Sequence, residues 1–129
     1  MRKLSLVFSL ALLAFFTGCS SPHSVANLEG RGKRDVFNAG YDRVWSAAVA
    51  AAQTGDLTIL NADKERGLIV AKRGLRPETF GENVAIFVKG VSPAQTEVEV
   101  VSRQAGPPVL VLRNWEGRIL SSIAANLTT

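Results

Sequence analysis

The stretch YDRVWSAAVAAAQTGDLTILNADKERGLIVAKR, residues 41–73, decides the fold, because its hydrophobic period changes once, from helical to extended. Tyr41, Val44, Trp45, Ala48, Val49 and Ala52 fall at i, i+3, i+4, i+7, i+8 and i+11, one stripe of an amphipathic helix. The alanines let that helix approach a sheet closely, and Tyr41 and Trp45 supply bulk at one end. Helical spacing accounts for these aromatics as core, which makes a ligand platform the lesser reading. Thr54-Gly55-Asp56 ends the helix. LTILNAD and GLIVAKR then alternate around the turn Asp63 to Gly67, so residues 57–73 are expected to form a β-hairpin.

Upstream, Asp35 to Ala39 reads as a short extended piece before Gly40. Downstream, a loop from Gly74 to Asn83, containing Phe80, leads to NVAIFVKG, where Val84, Ile86 and Val88 share one face and Ala85, Phe87 and Lys89 the other. After the turn at Ser92-Pro93-Ala94, QTEVEVVSR sets Val98 and Val100 against Glu97, Glu99 and Val101, a half-buried antiparallel strand. Glu97 and Glu99 could be paired carboxylates for acid–base work, but a solvated strand face explains them better, since no neighbouring residue type would split their pKa values. Gly106-Pro107-Pro108 precedes a short apolar run, Val109 to Leu112. RNWEGRILSSIAANL then places Trp115, Ile119, Leu120, Ile123, Ala124 and Leu127 on one helical stripe behind an N-cap at Asn114. Gly117 costs that helix about 1 kcal/mol relative to Ala, and an irregular first turn is expected. The order implies an α+β two-layer sandwich: an antiparallel sheet of about four to five strands with two helices on one face, in one domain spanning residues 36–129.

At 129 residues and 47% hydrophobic, the chain suffices for one small core plus a terminal segment. The net charge is +4, but 15 basic residues less Arg2 and Lys3 leave 13 against 11 acidic ones. Only Arg31, Lys33 and Arg34 cluster, so nucleic acid is not an expected partner.

The amino-terminal end has a three-part layout: Met1-Arg2-Lys3, an uncharged run from Leu4 to Phe16, then Thr17-Gly18-Cys19. That is the plan of a secretory signal, and the run is shorter than the roughly 20 residues a spanning helix needs. Phe16-Thr17-Gly18-Cys19 resembles the lipobox of bacterial lipoproteins; Gly18 and Cys19 match it, while Phe16 and Thr17 stand where Leu and Ser or Ala are usual. The resemblance implies a signal peptide over residues 1–18, signal peptidase II cleavage after Gly18, a diacylglyceryl group on the Cys19 thiol, and commonly a third chain on its amino group. Each buried CH₂ contributes about 0.8 kcal/mol, and one acyl chain holds a protein only marginally, so two or three on one residue make a durable anchor. The other readings are an ordinary signal peptide that leaves a free thiol, or an uncleaved anchor. Cys19 is the only cysteine, so an exported chain has no intramolecular disulfide. Ser20 after it, rather than Asp, resembles the outer-membrane sorting signal of Gram-negative lipoproteins and implies a periplasm-facing location.

Residues 19–35 are expected to be the lipidated cysteine and a flexible tether, rich in Ser, Gly, Asn and charge and without period. The 16 residues from Ser20 to Asp35 would reach at most roughly 50 Å. Arg31, Lys33 and Arg34 are read chiefly as solvated linker charges with a lesser part in touching headgroups, and His23 as an exposed linker histidine.

The helix motif Tyr41-x-x-Val44-Trp45-x-Ala47, a strand, a polar turn and Gly67-x-Ile69-x-Ala71 resemble a group of small uncharacterised proteobacterial lipoproteins, with a weaker likeness to the helix-grip domains of BamC, a lipoprotein of the outer-membrane β-barrel assembly machine; the resemblance spans most of residues 36–127. The likeness implies a fold and a cellular address, and its matched positions carry no chemistry. The only histidine is in the expected tether, and no HExxH, GxSxG, P-loop or CxxC pattern occurs. No catalytic residue, cofactor or metal is expected. The expectation is a non-enzymatic, membrane-anchored accessory of envelope assembly that binds another protein; the alternative is a module binding a small molecule or lipid in a cleft between helices and sheet.

Overall fold

Alternating apolar residues form five strands and helical spacing forms two helices, in the computed structural model described here for residues 22–74, 81–106 and 113–129. A 3₁₀ helix (Pro22–Asn27) comes first, followed by β1 (Lys33–Phe37), α1 (Tyr41–Ala52), β2 (Thr58–Asp63), β3 (Leu68–Arg73), β4 (Glu82–Ser92), β5 (Gln95–Gln104) and α2 (Trp115–Leu127). The sheet is antiparallel throughout, in the order β1-β5-β4-β3-β2. The expected α+β sandwich is therefore the observed one, with β1 and β2 at its opposite edges. β2, β3, β4 and β5 follow one another as a meander, and α1 carries the chain across the sheet from one edge to the other.

The main core lies between helices and sheet. Val44, Ala48 and Ala51 of α1 and Ile119 and Ile123 of α2 meet Ile69, Val84, Ile86, Val98 and Val100, all at most 1% exposed. α1 buries Ala47 and Ala51 beside Val44, Trp45, Ala48 and Ala52, while Tyr41 and Val49 are only partly covered. Its buried arc is thus shifted from the expected stripe, because the helix packs against α2 as well as the sheet. In α2, Trp115, Ile119, Leu120 and Ile123 are buried, Leu127 is partly covered and Ala124 is exposed.

α2 begins as the capping pattern predicts: Asn114 Oδ1 accepts a hydrogen bond from the Gly117 N–H at 2.9 Å. A Cβ at Gly117 would stand 2.7 Å from Asn114 Nδ2, so the glycine makes room for the cap, and the first turn is regular α-helix rather than irregular. Asn114→Ala is expected to lower stability by about 1 kcal/mol, read as a shifted denaturant midpoint with an unchanged slope.

The segment from Pro22 to Asp35 is not a tether. Its 3₁₀ helix lies on the face of the sheet opposite α1 and α2, where Val25, fully buried, packs with Leu68, Val70 and Ala85 and is flanked by Ala26, Leu28 and Phe87. Leu68, Val70, Ala85 and Phe87 form an apolar strip on that face, and covering it offsets the entropy of ordering a short polar segment. The chain then enters the sheet at Lys33, three residues before the expected start of the domain at Val36, and β1 pairs with β5 from Lys33↔Val100 to Phe37↔Thr96. Glu99 does not lie on a solvated face either. It is 3% exposed, whereas Glu97 is partly exposed.

Candidate functional site

Three places on the described body gather polar groups beyond what a plain sandwich needs. The first locks the amino-terminal segment down. Glu99 Oε1 accepts hydrogen bonds from the backbone N–H groups of Gly30 (2.6 Å) and Gly32 (3.0 Å), and its Oε2 pairs with Arg34 Nε at 2.9 Å. A carboxylate saturated in this way is retained when buried, because each donor replaces water it has lost. Both glycines are required: Gly30 has φ +90°, and a Cβ on Gly32 would overlap the Val100 carbonyl. This cluster is structural, with its acceptor already engaged.

The second is the end of the sandwich where β4 starts, β5 finishes and α2 begins. Arg73 and Glu82 face each other in register, 4% and 5% exposed, with Arg73 Nη1 3.5 Å from Glu82 Oε2. A cleft of about 340 Å³ opens beside them, lined among others by Glu82, Ser102, Gln104, Arg113 and Trp115. Glu116 Oε1 accepts the Ser102 backbone N–H at 3.3 Å, tying α2 to β5. The Trp115 indole N–H is buried and makes no hydrogen bond, a condition that costs about 1–3 kcal/mol. Arg118 stands over the ring with its guanidinium carbon 5.1 Å from the centroid.

The third is a row across the face that carries the 3₁₀ helix. Register makes Lys72, Asn83 and Arg103 neighbours on adjacent strands, with Thr58 beyond Lys72. Asn83 is 3% exposed and its Nδ2 has no partner. At the other end of the molecule the Tyr41 hydroxyl donates to the Lys64 carbonyl at 2.6 Å, and burial raises its pKa, an effect that Lys64 opposes.

Gly18 and Cys19, the residues expected to be cut and lipidated, lie outside the described residues, as do Phe80 and the run from Val109 to Leu112. Among the described residues no three His, Cys, Asp or Glu side chains gather as metal ligands, and no helix is long and apolar enough to cross a membrane. Strand alternation does not mark Asn83, Arg73, Glu82 and Glu99 as buried polar groups, because it assigns a polar residue to water unless something covers it. The signal for Glu99 was the spacing Gly30-x-Gly32 behind Val25 and Leu28. Fold and sites together define a two-layer α+β domain with its second sheet face partly capped by its own amino-terminal segment. No protein-family model matches the chain, and no curated protein matches it.

Proposed function

We propose that the chain is a lipid-anchored, periplasm-facing lipoprotein of the outer membrane whose small domain docks on another envelope protein and performs no catalysis. The observation that carries the reading is the place of Cys19. It follows a charged start and the apolar run Leu4 to Phe16, and it stands three residues before Pro22, where the packed body begins. The likeness to small proteobacterial lipoproteins supports the same address. Docking is supported by the sheet edges: among the described residues β2 pairs only with β3 and exposes Leu60, and β1 exposes Val36 on the opposite edge. An uncovered edge offers main-chain groups to a partner strand.

Labelled palmitate should enter the wild-type chain and be lost from Cys19→Ser, with a matching loss from the membrane fraction. A wild type that takes up no label, or a Cys19→Ser protein labelled equally, rejects the anchor. A photocrosslinker at Leu60 in native envelopes should capture a second protein; recovery of this chain alone at every expression level rejects docking.

A second reading, a small-molecule module, draws on the unpartnered Trp115 N–H in the strand-end cleft. The space between helices and sheet is filled by the main core, so the ligand would enter at that end.

A further inference from the structure

We propose that Lys72, Asn83 and Arg103 form a binding site for a phosphate-type oxyanion. The three face each other across β3, β4 and β5, and the two-residue period of each strand puts them on the face of Val70, Ala85 and Val101. Adjacent strands lie about 4.8 Å apart, so a buried amide sits between an ammonium and a guanidinium whose backbones are separated by about 10 Å. Lys72 and Arg103 are exposed, and Arg103 Nη1 donates to the neighbouring Ser102 carbonyl at 2.7 Å.

Asn83 gives the row its sign. Its Nδ2 is buried without an acceptor, and such groups are rare unless something outside the chain completes them. What completes a donor set made of an ammonium, a forked guanidinium and an amide N–H is an anion with several oxygens. Carboxylates are held off the row: Glu82, next to Asn83, faces the helices and the strand-end cleft that Arg103 also borders, while Asp63 and Glu99, on the row's own face, stand level with Leu68 and Phe87, about 13 Å along the strands. Glu99 is already engaged by Gly30, Gly32 and Arg34.

The row also lies beside the point where the chain comes down onto the sheet. Val25 packs on Val70 and Ala85, and the row is two residues further along, about 7 Å. Cys19 stands six positions before Val25, a span of at most about 20 Å. If Cys19 is anchored as proposed above, the row is held on the order of 30 Å or less from the lipidated residue, within reach of phospholipid headgroups; this source of the oxyanion rests on that reading, and the site does not.

The test uses the full chain carrying Cys19→Ser in non-ionic micelles, so that failure of the lipid anchor leaves it untouched. The side-chain amide resonances of Asn83 are followed while inorganic phosphate, or in a second arm a short-chain phosphatidylglycerol, is added at constant ionic strength. A saturable shift is expected, at least tenfold weaker in the double variant K72Q/R103Q, whose two exposed changes leave the core signals in place. A shift with the lipid identifies a headgroup site; a shift with phosphate alone identifies a free-anion site and removes the headgroup. No shift in either arm, or equal binding by the double variant, overturns the proposal.

Discussion

Glu99→Ala is expected to lower stability by about 2–4 kcal/mol and to release the amino-terminal segment from the sheet. The substitution strands two backbone N–H groups that now donate to a carboxylate, and hydrogen bonds to charged groups are worth about 1.5–3 kcal/mol each. The lost ion pair adds little, because Arg34 is half exposed and water takes up its charge. Glu99→Gln keeps one acceptor oxygen and should recover part of the loss. Denaturant unfolding measures the stability. Trypsin reads the release, since Arg31, Lys33 and Arg34 all lie in the freed stretch and should be cut before the strands open. A Glu99→Ala protein as stable and as resistant as wild type would mean that the carboxylate does not hold this segment.

Trp115→Ala should cost more, about 3–5 kcal/mol, as large aromatic truncations in packed cores do. The side chain is 1% exposed, starts α2, and belongs to the main core. Its six-membered ring fills the space over Gly55, where a Cβ would come within 2.9 Å of the ring carbons, and Gly55 itself has φ +65°. Removing the indole therefore opens a cavity between the α1–β2 turn and α2 that neither backbone can readily close. The loss should appear as a lower denaturant midpoint. Trp115→Phe, which retains a ring and removes an N–H that has no partner, should lose much less. Equal losses in the two variants would contradict a packing role for the ring.

The helices and hairpins were legible because their hydrophobic periods are long and undisturbed: Tyr41 to Ala52, Thr58 to Arg73 and Trp115 to Leu127 emerge close to where the patterns put them. The strand order was not, since the pairing of β1 with β5 joins residues from 59 (Phe37↔Thr96) to 67 (Lys33↔Val100) positions apart and leaves no local mark. The amino-terminal cover escapes the pattern for a related reason. SSPHSVANLEG has the composition of a linker, and one buried valine with two flanking apolar residues gives no measurable period. Once that cover is missed, Glu99 necessarily reads as solvent-facing, although it holds the cover in place; alternation likewise assigns Asn83 to water, although it lies buried with an unpaired amide. The consequence reaches the proposed function. A tether of 16 residues would let the domain roam tens of ångströms from the bilayer, whereas a body that begins at Pro22 leaves a lipidated Cys19 only a short leash.

That short leash depends on residues 22–37 being part of the folded domain, and native-state hydrogen exchange on the full wild-type chain tests it most directly. The Gly30 and Gly32 amides, which donate to Glu99, should be protected to an extent comparable with the β5 amides that pair with β1. Exchange of both glycine amides at the rate of an unstructured chain, while β3, β4 and β5 stay protected, would contradict the account and restore a free tether.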